Sequence, residues 1–224
     1  MKRRLVFVLC LCIAAGQSIR AQTEGIVCLG DSLMAGWGAV VPDVPDETKS
    51  VPAYLQRQVN VPVYNAGIGG NTTTDALFRL TRDVILKRPS VVLVELGGND
   101  ILNRYDIETT FLNFQIILQN LADTGAKLYL VKFYNYGMME TLLSLVGAPG
   151  MYTRRITAQY DEMYANLARL YNVELIDSLW NGAWGVYMSD DIHANARGYE
   201  IMADNIFRAM RPFLESKGMI RYTR

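Results

Sequence analysis

Val91-Val92-Leu93-Val94-Glu95-Leu96-Gly97-Gly98-Asn99-Asp100 joins a continuous apolar run to a glycine pair and two hydrogen-bonding side chains. A run without polar alternation predicts a strand covered on both faces, as in a parallel sheet. Four other stretches read the same way: Gly25 to Leu29, Val61 to Ala66, Leu128 to Phe133 and Val173 to Ile176. Segments of helical period lie between and after them, at Val51 to Val59, Thr73 to Lys87, Ile107 to Asp123, Arg155 to Tyr171 and Ala196 to Lys217. In the third of these, Leu112, Ile116, Leu118 and Leu121 predict one buried face, with Gly125 as a stop signal just beyond. Strand and helix alternating in this way predict an α/β fold, a three-layer αβα sandwich on a five-stranded parallel sheet with right-handed crossovers.

Composition agrees with one globular domain. Half of the 224 residues are apolar and a fifth are charged, which excludes a disordered chain or a disulfide-dense miniprotein. Lys2-Arg3-Arg4 followed by the apolar run Leu5 to Ala15 and then small and polar residues predicts a signal peptide over residues 1–21, with the domain at 22–224. The alternative is an uncleaved N-terminal anchor, although the apolar stretch is short for a bilayer crossing. Cys10 and Cys12 follow leucines rather than small residues, which does not resemble a lipoprotein cleavage site. Four of the 22 basic residues lie in that leader, so the remainder sets 18 basic against 22 acidic side chains. Without a basic stripe, nucleic acid is not an expected partner. Only Cys28 of the three cysteines falls outside the leader, in an apolar run, and reads as a small buried hydrophobe rather than a reactive thiol.

Ligands of open α/β sheets gather beyond the carboxyl ends of the strands. Gly30-Asp31-Ser32, Gly67-Ile68-Gly69-Gly70-Asn71 and Gly97-Gly98-Asn99-Asp100 follow the first three strands and are directed to that edge. The chain has one histidine, His193, within Ser189-Asp190-Asp191-Ile192-His193. An Asp that accepts a hydrogen bond from imidazole fixes its tautomer and stabilises the imidazolium. From that pair alone, a histidine at the start of the last helix is an equal alternative. A hydroxyl nucleophile needs a base, an orienter and donors aimed at a developing oxyanion. Ser32, His193, Asp190 and the amides around Gly70 and Asn99 can supply all of these.

Taken in order, Gly30-Asp31-Ser32-Leu33, the glycine after the second strand, Gly97-Gly98-Asn99-Asp100 and Asp190-x-x-His193 resemble the SGNH, or GDSL, hydrolases. Val94 to Asp100 is similar to the branch of bacterial arylesterases, thioesterase I and lysophospholipase L1. The resemblance spans residues 26 to about 205 and implies a flavodoxin-like SGNH hydrolase fold. It implies Ser32 as nucleophile, His193 as base and then acid, and Asp190 as its orienter. The implied oxyanion hole is the Ser32 amide, the Gly70 amide and the Asn99 side chain, with Gly67 and Gly69 serving the turn and Asp31 structural. The expected reaction is hydrolysis of a small-molecule acyl or aryl ester, or of a thioester or lysophospholipid, with no cofactor. One His and one Cys outside the leader also leave little for a zinc site, so no metal is expected.

Substrate contacts are expected from Trp37, Tyr134, Met138, Met139 and Leu142, because the apolar segment Tyr134 to Tyr152 carries one charge, Glu140. That segment reads either as a helix packed on the body of the domain or as an apolar lid. Trp37, Trp180 and Trp184 leave a carbohydrate O-acetylesterase as the alternative enzyme, and a non-catalytic lipid or glycan binding module as the alternative of another class. The leader implies export to the periplasm or medium, without stable membrane insertion after its cleavage.

Overall fold

The structure is a computed structural model that describes residues 25–148 and 150–222; the expected signal peptide lies outside the described residues. Five strands, β1 Ile26–Gly30, β2 Val63–Gly67, β3 Val91–Glu95, β4 Lys127–Val131 and β5 Glu174–Ile176, form one parallel sheet in the order β2-β1-β3-β4-β5. Each expected apolar run holds a strand, with ends moved by one or two residues. Every residue of β1 and β3 is buried, which is why these two runs show no alternation.

Among the described residues, eight α-helices cover the sheet on both sides: α1 Ser32–Ala35, α2 Val51–Gln58, α3 Thr73–Asp83, α4 Gly98–Leu102, α5 Ile107–Ala122, α6 Tyr136–Leu145, α7 Thr153–Tyr171 and α8 Ala196–Ser216. Helices α2 and α8 pack together, while α3, α5 and α7 form a contiguous row. Polar caps set the starts. The Thr72 hydroxyl accepts from the Asp75 amide and the Asp75 carboxylate accepts from the Thr72 amide, a reciprocal box at α3. Asp106, Asn135 and Asn195 accept from first-turn amides of α5, α6 and α8.

Two expectations need correction. On α5 the buried side chains are Phe114, Ile117, Leu118 and Leu121, whereas Leu112 and Ile116 are 57% and 49% exposed. At 3.6 residues per turn Leu112 and Ile116 fall on the side opposite Leu118 and Leu121, beside Glu108, Gln119 and Asn120, and the side packed against α3 and α7 is the buried one. The segment Thr73 to Lys87 is not one helix: α3 stops at Asp83, and a 3-10 turn, Ile85–Lys87, ends at Arg88 in the left-handed region. Residues from Tyr136 to Leu145 form a helix that buries Met138, Met139, Leu142 and Leu143. It packs on α4 and α7 as part of the body of the domain.

The strand order reverses direction between β1 and β3, which leaves a crevice beyond their carboxyl ends. Ser32 opens α1 directly after β1, and Asn99 lies in the first turn of α4 after β3. Topology therefore brings residues 67 positions apart in sequence to one notch. Gly67 permits the close approach, since a Cβ there would lie 2.4 Å from the Ala35 amide nitrogen. At Gly69 a Cβ would meet the Trp37 ring at 2.8 Å. These glycines thus provide room for α1 and Trp37, and Gly69 also occupies a central position of the turn that the Asn71 amide closes on the Ile68 carbonyl.

Candidate active site

The hydroxyl of Ser32 lies 3.0 Å from His193 Nε2, and His193 Nδ1 lies 2.7 Å from Asp190 Oδ2. The loop before α8 makes this possible locally. Asp190 Oδ1 accepts from the amides of Ile192 at 2.8 Å and His193 at 2.7 Å, folding the loop back on its own carboxylate. The Ser189 amide donates to the His193 carbonyl and fixes the base of the turn. Half-burial works to raise the Asp190 pKa, but the two amides and the His193 ring outweigh it and the net shift is downward. Asp190 is therefore held as a carboxylate facing the ring.

A second set of hydrogen bonds organises the opposite side of the notch. Asn99 Nδ2 donates to Asp31 Oδ2 at 3.0 Å and to the Asn71 carbonyl at 3.1 Å. Asp31 Oδ1 accepts from the Leu33 amide at 3.1 Å, which caps α1 and ties the serine turn to Asn99. The Asn71 amide donates to the Ile68 carbonyl, closing a tight turn with Gly70 at φ +78°. Gly70 needs that conformation, and a side chain there would be strained although the space above it is open. Ser32 begins a helix, so its amide belongs to the donors that a helix leaves without an internal acceptor.

Arg79 braces this turn from below. Its buried guanidinium, on α3, donates from Nη2 to the Gly30 carbonyl at 2.8 Å, from Nη1 to the Ala66 carbonyl at 2.7 Å and from Nε to Asn71 Oδ1 at 2.6 Å. The ends of β1 and β2 and the Gly70-Asn71 turn are thereby fixed by one side chain. Buried Asp100 does the same for α4, accepting from the Thr73 amide at 3.0 Å and from the Thr73 and Thr110 hydroxyls. Burial raises its pKa.

Ser32, Asn99 and His193 line a small cavity of about 30 Å³ with Leu33, Leu102, Phe133, Met138, Leu142 and Ile192. Of the expected substrate contacts, Met138 and Leu142 are in this wall. Tyr134 and Met139 are corrected to core positions: Tyr134 is buried with its hydroxyl donating to Asp161 at 2.8 Å, and Met139 is buried in α6. Trp37 is outside the wall but leans on the His193 imidazole, with ring centroids 6.4 Å apart. Gly70 is also outside the wall, one residue from the carbonyl that Asn99 contacts. Trp180 is buried with its indole donating to the Phe133 carbonyl at 2.6 Å, and Trp184 packs edge-on against it. Both are occupied in packing. Sequence reasoning passed over Arg79, Leu102, Phe133 and Ile192. Arg79 stands four residues before Asp83 and reads as an ordinary surface helix pair, while the others read only as generic apolar positions. Among the described residues, no group of His, Cys, Asp and Glu could hold a metal ion.

Residues 28–201 match the GDSL-like lipase/acylhydrolase family. The chain belongs to that family. It is 29% identical over 199 residues to thioesterase 1/protease 1/lysophospholipase L1 of Escherichia coli strain K12, covering 87% of this chain and 86% of that protein. It is 29% identical over 184 residues to an arylesterase of Vibrio mimicus, covering 79% and 80% of the two chains. The crystal structure of TesA superimposes with a TM-score of 0.71 at 25% identity, covering 85% of this chain and all of that one. This GDSL acylhydrolase is a hydrolase of ester bonds with the α/β fold of its structural relatives.

Proposed function

We propose that this acylhydrolase is a serine esterase using Ser32, His193 and Asp190 as nucleophile, acid-base and orienter. The observation that carries the reading is the unbroken chain from Ser32 Oγ to His193 Nε2 at 3.0 Å and from Nδ1 to Asp190 Oδ2 at 2.7 Å, opening on an apolar cavity. Asp190 keeps the hydrogen on Nδ1, which leaves Nε2 free to accept the serine proton. Ser32 Oγ then bonds to the ester carbonyl carbon, and the carbonyl electron pair moves onto oxygen. The donors for that oxyanion are the Ser32 amide, the Gly70 amide and Asn99 Nδ2. One Asn99 N–H, donated to the Asn71 carbonyl in the resting site, turns to hydrogen-bond the oxyanion, while the other keeps its hydrogen bond to Asp31 and fixes the amide plane.

His193 passes its proton to the departing alkoxide or thiolate, the carbonyl reforms, and the acyl group remains on Ser32. Water enters, gives a proton to Nε2 and attacks the acyl carbon, and return of that proton to Ser32 releases the acid. No step calls for a metal or cofactor. Small-molecule acyl and aryl esters are the proposed substrates, with thioesters and lysophospholipids available to the same chemistry. The small cavity favours a second reading, a carbohydrate O-acetylesterase, because an acetyl group needs little more than the space already present. With residues 1–21 as a signal peptide, the proposed place of action is outside the cytoplasm.

The test is hydrolysis of p-nitrophenyl esters from acetate to palmitate by the purified protein and by Ser32→Ala, with acetylated xylan as competitor. Loss of turnover in Ser32→Ala is expected. Turnover that survives this substitution overturns the assignment, and suppression of acetate cleavage by the xylan selects the second reading.

A further inference from the structure

One acid in the site has no place in the reaction just described. Glu95 ends β3 with 0% exposure, and neither of its carboxyl oxygens has a hydrogen-bond partner. The groups facing it are the amide and carboxyl of Asp31 from the end of β1, Tyr164 from α7 and Tyr199 from α8. Both phenols donate elsewhere, Tyr164 to the Leu96 carbonyl at 2.9 Å and Tyr199 to the Trp37 carbonyl at 2.7 Å. Glu95 Oε2 lies 2.9 Å from where a Cβ on residue 30 would stand, so Gly30 is what lets the acid reach Asp31 beneath the nucleophile turn.

Two adjacent carboxyl groups in a dry interior cannot both carry charge. We propose that Glu95 is a positioning residue: as a neutral carboxylic acid it donates to the Asp31 carboxylate, which in turn holds the Asn99 amide where the oxyanion forms. The proton resides on Glu95 because Asp31 accepts two hydrogen bonds that stabilise its charge, from the Leu33 amide and Asn99 Nδ2, whereas Glu95 is faced by one donor, the Asp31 amide. Arg79 assists that charge and Asp100 opposes it. Burial and the Asp31 charge push Glu95 well above the usual carboxylate range, while burial raises Asp31 only to about 6. The shared proton also tempers the negative charge behind Asn99, which would otherwise repel the oxyanion.

This inference rests on Asn99 as an oxyanion donor, and its first readout does not depend on turnover. Infrared spectra at pH 7 should show the carbonyl band of a buried protonated carboxyl group, shifted in D₂O, in the wild type and in Ser32→Ala, and absent in Glu95→Gln. In kinetics, Glu95→Leu should lower kcat by about tenfold with KM held, a fraction of the cost of deleting an oxyanion donor, and Glu95→Gln should restore most of it. No protonated band lost in Glu95→Gln, or equal kcat losses in Gln and Leu, overturns the proposal. If Glu95→Leu does not fold, the band decides alone. Persistent turnover in Ser32→Ala would instead remove the nucleophile and leave the band result standing.

Discussion

Replacing Arg79 by lysine separates charge from geometry. Lysine keeps the positive charge and most of the aliphatic stem, but its single nitrogen cannot reach three acceptors on three chain segments. In the wild type those acceptors are the Gly30 carbonyl, the Ala66 carbonyl and Asn71 Oδ1, at 2.8, 2.7 and 2.6 Å. A hydrogen bond to a charged group contributes about 1.5–3 kcal/mol. Retaining one and losing two should cost about 3 kcal/mol at the low end of that range, because water can replace part of the contact at the Asn71 side. That is a large share of the roughly 5–15 kcal/mol by which a domain is stable. Urea unfolding followed by tryptophan fluorescence gives the stability, and p-nitrophenyl acetate turnover gives the effect on the Gly70-Asn71 turn. A loosened turn should lower kcat by about tenfold in the folded Arg79→Lys protein, since small misplacements at a reacting centre are costly. A stability within about 0.5 kcal/mol of wild type together with unchanged kcat would refute the brace.

Asp190→Asn should retain the fold and lower kcat by up to about 10⁴, because the neutral amide no longer enforces the Nδ1–H tautomer; steady-state kinetics on a short ester checks this. Leu142→Ala should widen the catalytic cavity and move the chain-length optimum toward longer acyl groups, at about 2–5 kcal/mol of stability; an ester series with a thermal melt reads both. Asp31 has a raised folded pKa of about 6, so the folded state binds more protons than the unfolded and its contribution falls as pH rises from about 4 to about 6. Relative to Asp31→Asn, the wild type should therefore lose up to about 3 kcal/mol across that window, measured as the difference in urea unfolding free energy at pH 4 and pH 7. A constant difference would argue against a buried, charge-bearing Asp31.

Much of this architecture is legible in the chain because β1 and β3 are buried on both faces and are written as unbroken apolar runs. The proposed triad is legible for a different reason: a single His leaves one candidate base, and Asp190 stands three residues before it. Periodicity gives out where a helix is apolar on more than one side. Leu112 and Ile116 have helical spacing with each other, yet they form a short apolar stripe opposite the wider one of Phe114, Ile117, Leu118 and Leu121 that packs against α3 and α7. In the same way, Tyr134 and Met139 cannot be separated from Met138 and Leu142 by residue type. Tyr134 precedes α6 and is drawn inward to Asp161, while within the helix Met138 and Leu142 line the cavity and Met139 does not. Glu95 and Arg79 were silent because a charged residue in sequence gives no sign of which buried carbonyl or carboxyl it will meet.

Ser32 and His193 meet across 161 positions, from the first helix and from the loop before the last. The joint is held by Tyr199 on the Trp37 carbonyl at 2.7 Å and by the Ala196 amide on the Ala39 carbonyl, also at 2.7 Å. A ribosome therefore completes the Ser32 turn long before it makes His193, and a chain lacking α8 has no imidazole anchored beside its serine. Contacts so distant in sequence close late in folding. With the proposed roles of Ser32 and His193, catalytic competence is a property of the finished molecule, so that hydrolysis itself reports that the two ends of the polypeptide have been joined.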